Sequence, residues 1–298
     1  MGHGNSINCP ACRSLSEGNT YALVDHEYAL DVKVNYRQCA SCQSFFQVPM
    51  PDIPTLSSFY PADYHSFDAN SFITELKHRK RLNNLAGLIH DDTFTLLDYG
   101  CGGGSFLEFV ARRFPKATLI GFEIAPKKQI VDRENGRVKM IHGELSDLLN
   151  ETGPVDLVSM HHVIEHLPDP FDTVSRLFEK VRPGGHLVGQ TPASDSFEFK
   201  IFQTNWSGFH APRHTVVFST SGMRALLQRA GFSAVVIKGG FNPGGIAVSL
   251  ATLAHRGKKG RIKRQGIVWL FCVALATILY PIDRLSGKPG IMDFEAKK

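Results

Sequence analysis

No stretch of this sequence reaches the ~20 consecutive apolar residues that a membrane-spanning helix needs. The longest apolar run, residues 267–280, has 14. The start, MGHGNSINCPAC, has no apolar core either, so no secretory signal is expected there. Six cysteines in 298 residues are too few for a disulfide scaffold, and a reduced, cytoplasmic setting is the expectation that follows. Charge is also sparse: Asp, Glu, Lys and Arg make up 20% of the chain, and Lys plus Arg exceed Asp plus Glu by 33 to 28, a net charge of +5. A dedicated nucleic-acid binder is usually more basic, so nucleic acid is not the expected partner. What is there is 43% hydrophobic residues, which excludes a disordered or collagen-like chain and suffices for a full core. At ~100–200 residues per domain, the length fits one enlarged domain or a domain with a small module. Gly2 and Ser6 match an N-myristoylation pattern, loose enough for coincidence to be the expected reading.

Four of the six cysteines form two C-x2-C pairs, Cys9/Cys12 and Cys39/Cys42, with 26 residues between them. One such turn aims two thiolates at a cation, and a second completes the tetrahedron that zinc prefers. The intervening TYALVDHEYALDVKVNYRQ alternates like strands. The pattern predicts a small zinc ribbon in which Cys9, Cys12, Cys39 and Cys42 hold structural Zn2+; four thiolates leave no open position for a substrate. Pro49, Pro51 and Pro54 then mark a linker, and residues 71–90 read as an amphipathic helix.

TFTLLDYGCGGGSFLEFVARRF reads as a buried strand, a glycine turn and a helix. The turn carries D-x-G-x-G-x-G at Asp98, Gly100, Gly102 and Gly104, where glycine lets the backbone bend sharply and approach a ligand. A second strand, LIGFEIAP, ends at Glu123, placed for a ribose diol, and a third ends at Glu144. A nicotinamide fingerprint, G-x-G-x-x-G, would put its third glycine at Ser105, so the third glycine here is one residue early. An acid two residues before the first glycine sits poorly beside a pyrophosphate. It suits the amino-acid end of S-adenosylmethionine (SAM), which carries an ammonium.

The ordered set LLDYGCGGG, LIGFEIAP, HHVIEHLPDP and KVRPGGHLVGQTP resembles the class I SAM-dependent methyltransferases. CPAC…CASC, PMPDIPTLSSFYPADY and NWSGFHAPRHTVVFSTSGMRALLQRAGF resemble one subgroup with a cysteine-ribbon start and an H-V-x-E-H motif. The resemblance covers nearly the whole chain. It implies a doubly wound, Rossmann-like seven-stranded α/β sheet with the ribbon before it. It implies that Asp98, Gly100 and Gly102 hold the methionine part of SAM, Glu123 the ribose, and Glu144 with Leu145 the adenine, with Gly104 and His161 also at the cofactor. The family more often has Asp where Glu144 stands. Members of the subgroup are often linked to sugar, polysaccharide or lipid modification, which implies O-methylation of a sugar-containing or lipid-linked small acceptor.

A hydroxyl acceptor needs a base or a metal to take its proton. His162, Glu165 and His166 fall at i, i+3 and i+4, one face of a helix start. Ubiquinone-biosynthesis O-methyltransferases have a similar E-x-x-E-H run associated with a divalent metal. Here His162 replaces the first Glu, a departure that counts against a divalent metal at the active site; His162, Glu165 and His166 are the expected catalytic residues, and a loop brace by Glu165 and His166 is the alternative. A second cluster, Trp206, His210, Arg213 and His214, follows the fifth strand. Two histidines and an arginine there suit catalysis and an anionic acceptor, with Trp206 and Arg213 as binding residues.

Residues 232–240 read as the sixth strand and 290–298 as the last, antiparallel one in the family pattern. The expected organisation is therefore 1–54 for ribbon and linker, 55–240 for the SAM-binding domain, 241–289 for an insertion and 290–298 for the closing strand. The insertion holds Arg256, Lys258, Lys259, Arg261, Lys263 and Arg264 between two apolar segments. It reads as a helix pair packed on the domain, as a peripheral contact with an anionic membrane at its inner face, or as a nucleic-acid contact. Two rivals to a small-acceptor enzyme stay open: an RNA methyltransferase using the ribbon, and a non-catalytic membrane or partner adaptor.

Overall fold

Alternation of apolar and polar residues shapes the N-terminus. In the computed structural model, which describes residues 7–61, 72–125, 127–133, 136–255, 260–262 and 264–298, β1 (Ile7–Asn8) pairs antiparallel with β2 (Leu15–Ser16). The first cysteine knuckle lies between them. β3 (Thr20–Val24), β4 (Lys33–Gln38) and β5 (Phe45–Gln47) form a meander around the second knuckle. Gly2 and Ser6, and Arg256, Lys258, Lys259 and Lys263 of the basic stretch, lie outside the described residues. The proline segment does more than link. Asp52 accepts the Thr55 N–H at 2.9 Å and Pro54 sits in the first turn of α1 (Ile53–Ser58), where proline's missing N–H costs nothing.

The main sheet begins after α2 (Phe72–Ala86). In chain order come β6 (Thr95–Tyr99), α3 (Ser105–Ala111), β7 (Thr118–Ile124), β8 (Gln129–Arg133), β9 (Val138–Gly143), α4 (Leu145–Glu151), β10 (Val155–His161), α5 (Pro170–Lys180), β11 (Val181–Pro192) and α6 (Phe197–Phe202). β12 (Val216–Val217), α7 (Thr220–Arg229), β13 (Ser233–Gly239), α8 (Gly244–His255), α9 (Gly266–Leu285) and β14 (Ile291–Lys297) complete it. The sheet order is β13-β14-β11-β10-β6-β7-β9-β8. β6 and β10 are buried almost throughout, as strands covered on both faces by helices must be. β14 runs antiparallel between β11 and β13, the orientation and pairing expected of the last strand.

Among the described residues the sheet has eight strands rather than the expected seven. The extra one, β8, is an antiparallel edge strand whose QIVDR sequence is largely exposed and carries no buried run for a sequence reading to catch. A second correction concerns α9. The apolar run stops at Tyr280, where Pro281, Asp283 and Arg284 follow, but the helix spans Gly266–Leu285, and its 20 residues are long and apolar enough to cross a membrane by length and composition.

The ribbon and the main domain share hydrogen bonds. β5 pairs with β12, which places the cysteine strands and residues 216–217 in one four-stranded sheet. Ser219 and Ser221 both donate to the Cys42 carbonyl, and Arg229 donates to the Ala11 carbonyl at 3.1 Å. Cys9, Cys42 and Phe46 are buried in the same apolar cluster as Val216, Phe218 and Met223.

Candidate active site

The expected cofactor residues gather at one edge, where the parallel strands end. β6 delivers the fully buried Asp98 to the start of the glycine turn. Gly100, Gly102 and Gly104 take φ of +75°, +54° and +81°, conformations that side chains with a Cβ resist. Gly100 is also crowded: a Cβ there would lie 2.3 Å from Val163 Cγ2. Glu123, at the end of β7, reaches back to accept the Gly102 N–H at 2.8 Å. Burial pushes its carboxyl above the usual range. Gly104 serves packing: it caps α3 against Met140, whose sulfur would lie 2.9 Å from a Cβ. Glu144 is exposed and starts α4, its N–H bonded to Asp147 at 2.9 Å, with Leu145 half-buried beside it. His161 ends β10; burial, with Arg81 next, holds it well below the usual imidazole range and therefore neutral.

One residue at this edge escaped the sequence reading. Arg81, from α2, donates to both Asp98 Oδ1 and Ser159 Oγ (2.6 Å to the latter), with its guanidinium 3.8 Å over the Phe106 ring. Burial pushes the Asp98 carboxyl up, and the Arg81 charge only partly offsets it. Asp98 Oδ2 and Arg81 Nε stay buried without a hydrogen-bond partner. An acceptor and a donor left unpaired side by side form a cradle for an ammonium and a carboxylate, the two charges of an amino-acid group. Within the basic run KHRKR nothing distinguished Arg81 from its neighbours.

The H-V-x-E-H residues form the second half of the site. The 3-10 turn Ile164–His166 follows β10. His162, at φ +56° and half-exposed, faces Glu165 Oε1 through Nδ1 and Gln190 Oε1 through Nε2, each at 3.2 Å. Glu165 is fully buried, and Thr191 Oγ1 donates to its other oxygen at 2.9 Å. Burial pushes this carboxyl up, but the His162 hydrogen bond and the imidazoles around it outweigh that and bring it below its ordinary value. A buried carboxylate thus stays ionised under an accessible imidazole.

His166, His210 and His214 stand behind this pair. The rings of His166 and His214 are 4.6 Å apart, and His214 Nε2 lies 3.9 Å from Glu165 Oε1. Tyr60 Oη meets His166 Nδ1 at 2.8 Å. Burial drives His166 down to about 4 and, with the Arg213 charge, His210 down to about 3; burial and the neighbouring imidazoles also hold His214 well below the usual imidazole range. All three are neutral at pH 7. One ligand atom each from Glu165, His166 and His214 lies within 4.8 Å of the others, so this set could hold a divalent cation.

Two expected acceptor-binding residues have other work. Arg213 is fully buried and bidentate on Asp25 at 2.9 and 3.0 Å. It also donates to the Phe59 and Ala211 carbonyls and to His210 Nε2. All five guanidinium donors are spent, so none remains for an anionic acceptor. Trp206 is 3% exposed, packs on Phe199 and Phe209, and donates to the buried Glu198 at 3.1 Å. Both are core residues. His210 belongs to the same clamp, with Nδ1 2.7 Å from Glu27 Oε2. The sequence marked the cluster but not its partners, Asp25 and Glu27, which come from the far end of the chain.

The four N-terminal thiols meet as expected. Cys9 and Cys42 sulfurs are 3.7 Å apart and those of Cys12 and Cys39 are 3.6 Å apart. All four lie within 4.8 Å of one another. A tetrahedral ion held by thiolates at about 2.3 Å sets sulfur–sulfur edges of about 3.8 Å, so the set fits. Each knuckle closes through a left-handed residue, Arg13 (φ +65°) or Gln43 (φ +64°), whose N–H returns to the first cysteine's carbonyl at 2.8 Å.

A family model described as a methyltransferase domain matches residues 70–236, more than half of the chain. The mitochondrial ubiquinone biosynthesis O-methyltransferase of Schizosaccharomyces pombe is 33% identical over 135 residues, which cover 42% of this chain and 49% of that protein. The trans-aconitate 2-methyltransferase of Deinococcus radiodurans is 30% identical over 136 residues, covering 45% and 49%. The chain spans about half the length of these curated relatives. A SAM-dependent methyltransferase structure from Archaeoglobus fulgidus aligns with a TM-score of 0.47 at 19% identity, covering 76% of this chain and 93% of that one.

Proposed function

Because the chain belongs to the class I SAM-dependent methyltransferase family, we propose that it moves a methyl group from SAM to a hydroxyl of a sugar-containing or lipid-linked small acceptor. The observation that carries this reading is the accessible His162 imidazole held over the buried, ionised Glu165, at the same strand edge as the Asp98–Arg81 cradle. SAM, when bound, supplies an electrophilic methyl on a sulfonium, so the protein's contribution is alignment and proton management. Asp98 and Arg81 would hold the ammonium and carboxylate of its methionine part, the glycine turn would leave room for it, and Glu123 would take the ribose. The Glu165 carboxylate fixes the proton of His162 on Nδ1. Nε2 is then bare and cannot bond the Gln190 oxygen beside it, so an acceptor hydroxyl that displaces that oxygen would give its proton to Nε2.

A divalent cation on Glu165, His166 and His214 is the second reading, favoured by their spacing; it would polarise the acceptor oxygen. At the N-terminus we propose structural Zn2+ on Cys9, Cys12, Cys39 and Cys42. Cys39→Ser should drop bound zinc from about one equivalent to near zero and loosen the shared sheet. Elemental analysis of the purified protein checks this, and an unchanged zinc content would sink the assignment.

The test of the main reading uses methyl-labelled SAM, the purified full chain and a cell extract, with products split into organic, aqueous and nucleic-acid fractions. Label is expected in the organic or sugar-bearing aqueous fraction. Gly102→Val is the blank: at φ +54° a branched side chain strains the turn and fills the space beside it, so SAM binding should fall at least ~100-fold by calorimetry. Label in nucleic acid would replace the small acceptor with RNA. SAM bound but no label above the blank would favour the adaptor.

A further inference from the structure

We propose that the exposed face of α9, together with the basic stretch before it, docks on an anionic lipid bilayer, with the helix lying in the plane of the headgroups. Ile267, Phe271, Ala274, Ile278, Ile282 and Leu285 recur at helical spacing, and all are exposed. Ile267 is 84% exposed, Phe271 69%, Ile278 68% and Leu285 87%. The opposite stripe, Cys272, Ala276 and Asp283, is buried. Only 17% of the helix's apolar window is covered by the rest of the protein. Simple packing of the insertion on the domain therefore leaves a stripe about 30 Å long against water, at 1.5 Å per residue.

Both ends of the helix are fastened to the body. Arg264 pairs with Glu27. Arg284 donates to the Gly239 carbonyl at 2.9 Å and to the Gly240 carbonyl, and Asp283 accepts the Gly290 N–H at 3.4 Å. Fastened along one side and bare along the other, α9 has the form of an interfacial helix, not of one surrounded by lipid.

Charge identifies the occupant. Residues 241–282 contain no Asp or Glu, while six Lys and Arg fall within 256–264, just before α9. Such a segment is attracted to anionic headgroups. A second copy of the chain would bring the same unbalanced cations to the contact and be repelled. The surface also adjoins the strand edge of the active site: Phe241 stacks on Tyr280 at 5.2 Å and lies 4.3 Å under Lys80 Nζ, the neighbour of Arg81. Docking stands independently of the methyl-transfer reading; only its consequence, that a lipid-linked acceptor enters from the bilayer, rests on it.

The test is flotation of the full chain with phosphatidylcholine vesicles, with or without about 30% phosphatidylglycerol. The protein should float with the anionic vesicles, roughly tenfold less with the neutral ones, and be released by alkaline carbonate. A variant carrying I267Q, F271Q, I278Q and L285Q should lose about tenfold in partition, and so should one carrying R256Q, K258Q, K259Q and K263Q, which spares Arg261 and Arg264. Melting curves and SAM calorimetry on the same preparations separate lost docking from lost fold or lost cofactor binding. Wild-type protein that stays at the bottom of the gradient, or folded variants that float like it, overturn the proposal. Carbonate-resistant association would replace the in-plane helix with a spanning one. A dimer that dissociates only in the stripe variant, without flotation of either protein, would assign the face to a second copy.

Discussion

Glu165→Gln should slow methyl transfer by about 10²- to 10⁴-fold while SAM affinity stays within about twofold. The carboxylate is fully buried and reaches its surroundings through His162 and Thr191, on the acceptor side of the site. The cofactor cradle proposed at Asp98, Arg81 and Gly102 shares no hydrogen bond with it. Glutamine has the same shape but cannot stay anionic, so it no longer fixes the His162 proton on Nδ1. Steady-state kinetics with calorimetry reads the split: the loss belongs in kcat, not in binding of SAM. A variant with unchanged kcat would reduce Glu165 to a brace for the 3-10 turn. A variant that melts far below wild type would be uninformative on chemistry, and His162→Gln, at a half-exposed position, then carries the test.

The second large effect is on stability. Arg213→Met should cost about 3–5 kcal/mol in chemical denaturation, because it leaves the fully buried Asp25 carboxylate without its cation. It also frees the Phe59 and Ala211 carbonyls that the guanidinium satisfied. Adding Asp25→Leu to Arg213→Met should recover most of the loss, since a buried pair replaced whole by apolar groups is often close to neutral. A single variant as stable as wild type would mean that water reaches this pair. Were the double variant no better than the single, the cost would lie in packing rather than in the stranded charge.

The parts legible in the sequence were those written in local order. The strand–glycine turn–helix at Asp98–Gly104, the acid closing β7 and the doubled C-x2-C are each written in local motifs, and their local structure follows from spacing. What escaped was set by contacts between distant segments. His210 and Arg213 look like ligands for an anion because no acid lies near them in sequence. Their acids, Glu27 and Asp25, come from the loop between β3 and β4 and meet them only because the ribbon folds onto the domain. Arg81 was hidden among five consecutive polar or basic residues, and only α2's placement against Phe106 selects it. The extent of α9 is not legible in its apolar run for a local reason. Proline usually ends a helix, but at Pro281 the ordered carbonyl contacts of Arg284 and the capping of Ser286 carry it one turn further.

Both ends of the insertion leave from neighbouring antiparallel strands. Gly240 N–H donates to the Ile291 carbonyl at 2.9 Å, and β13 continues directly alongside β14. To the sheet, residues 241–289 are therefore no more than an oversized hairpin turn. The entropy of closing such a turn grows only slowly with its length, by about 0.6 kcal/mol per doubling. The segment is nonetheless tied to the body through α8, where Ile246 and Ala247 are buried with Trp206 and Phe209 and the Ser207 N–H donates to Ser249 Oγ at 2.9 Å. The β13–β14 pairing thus carries the proposed membrane-docking surface on a single hairpin connection, distinct in sequence from the strand ends that bear Asp98, Glu123 and His161.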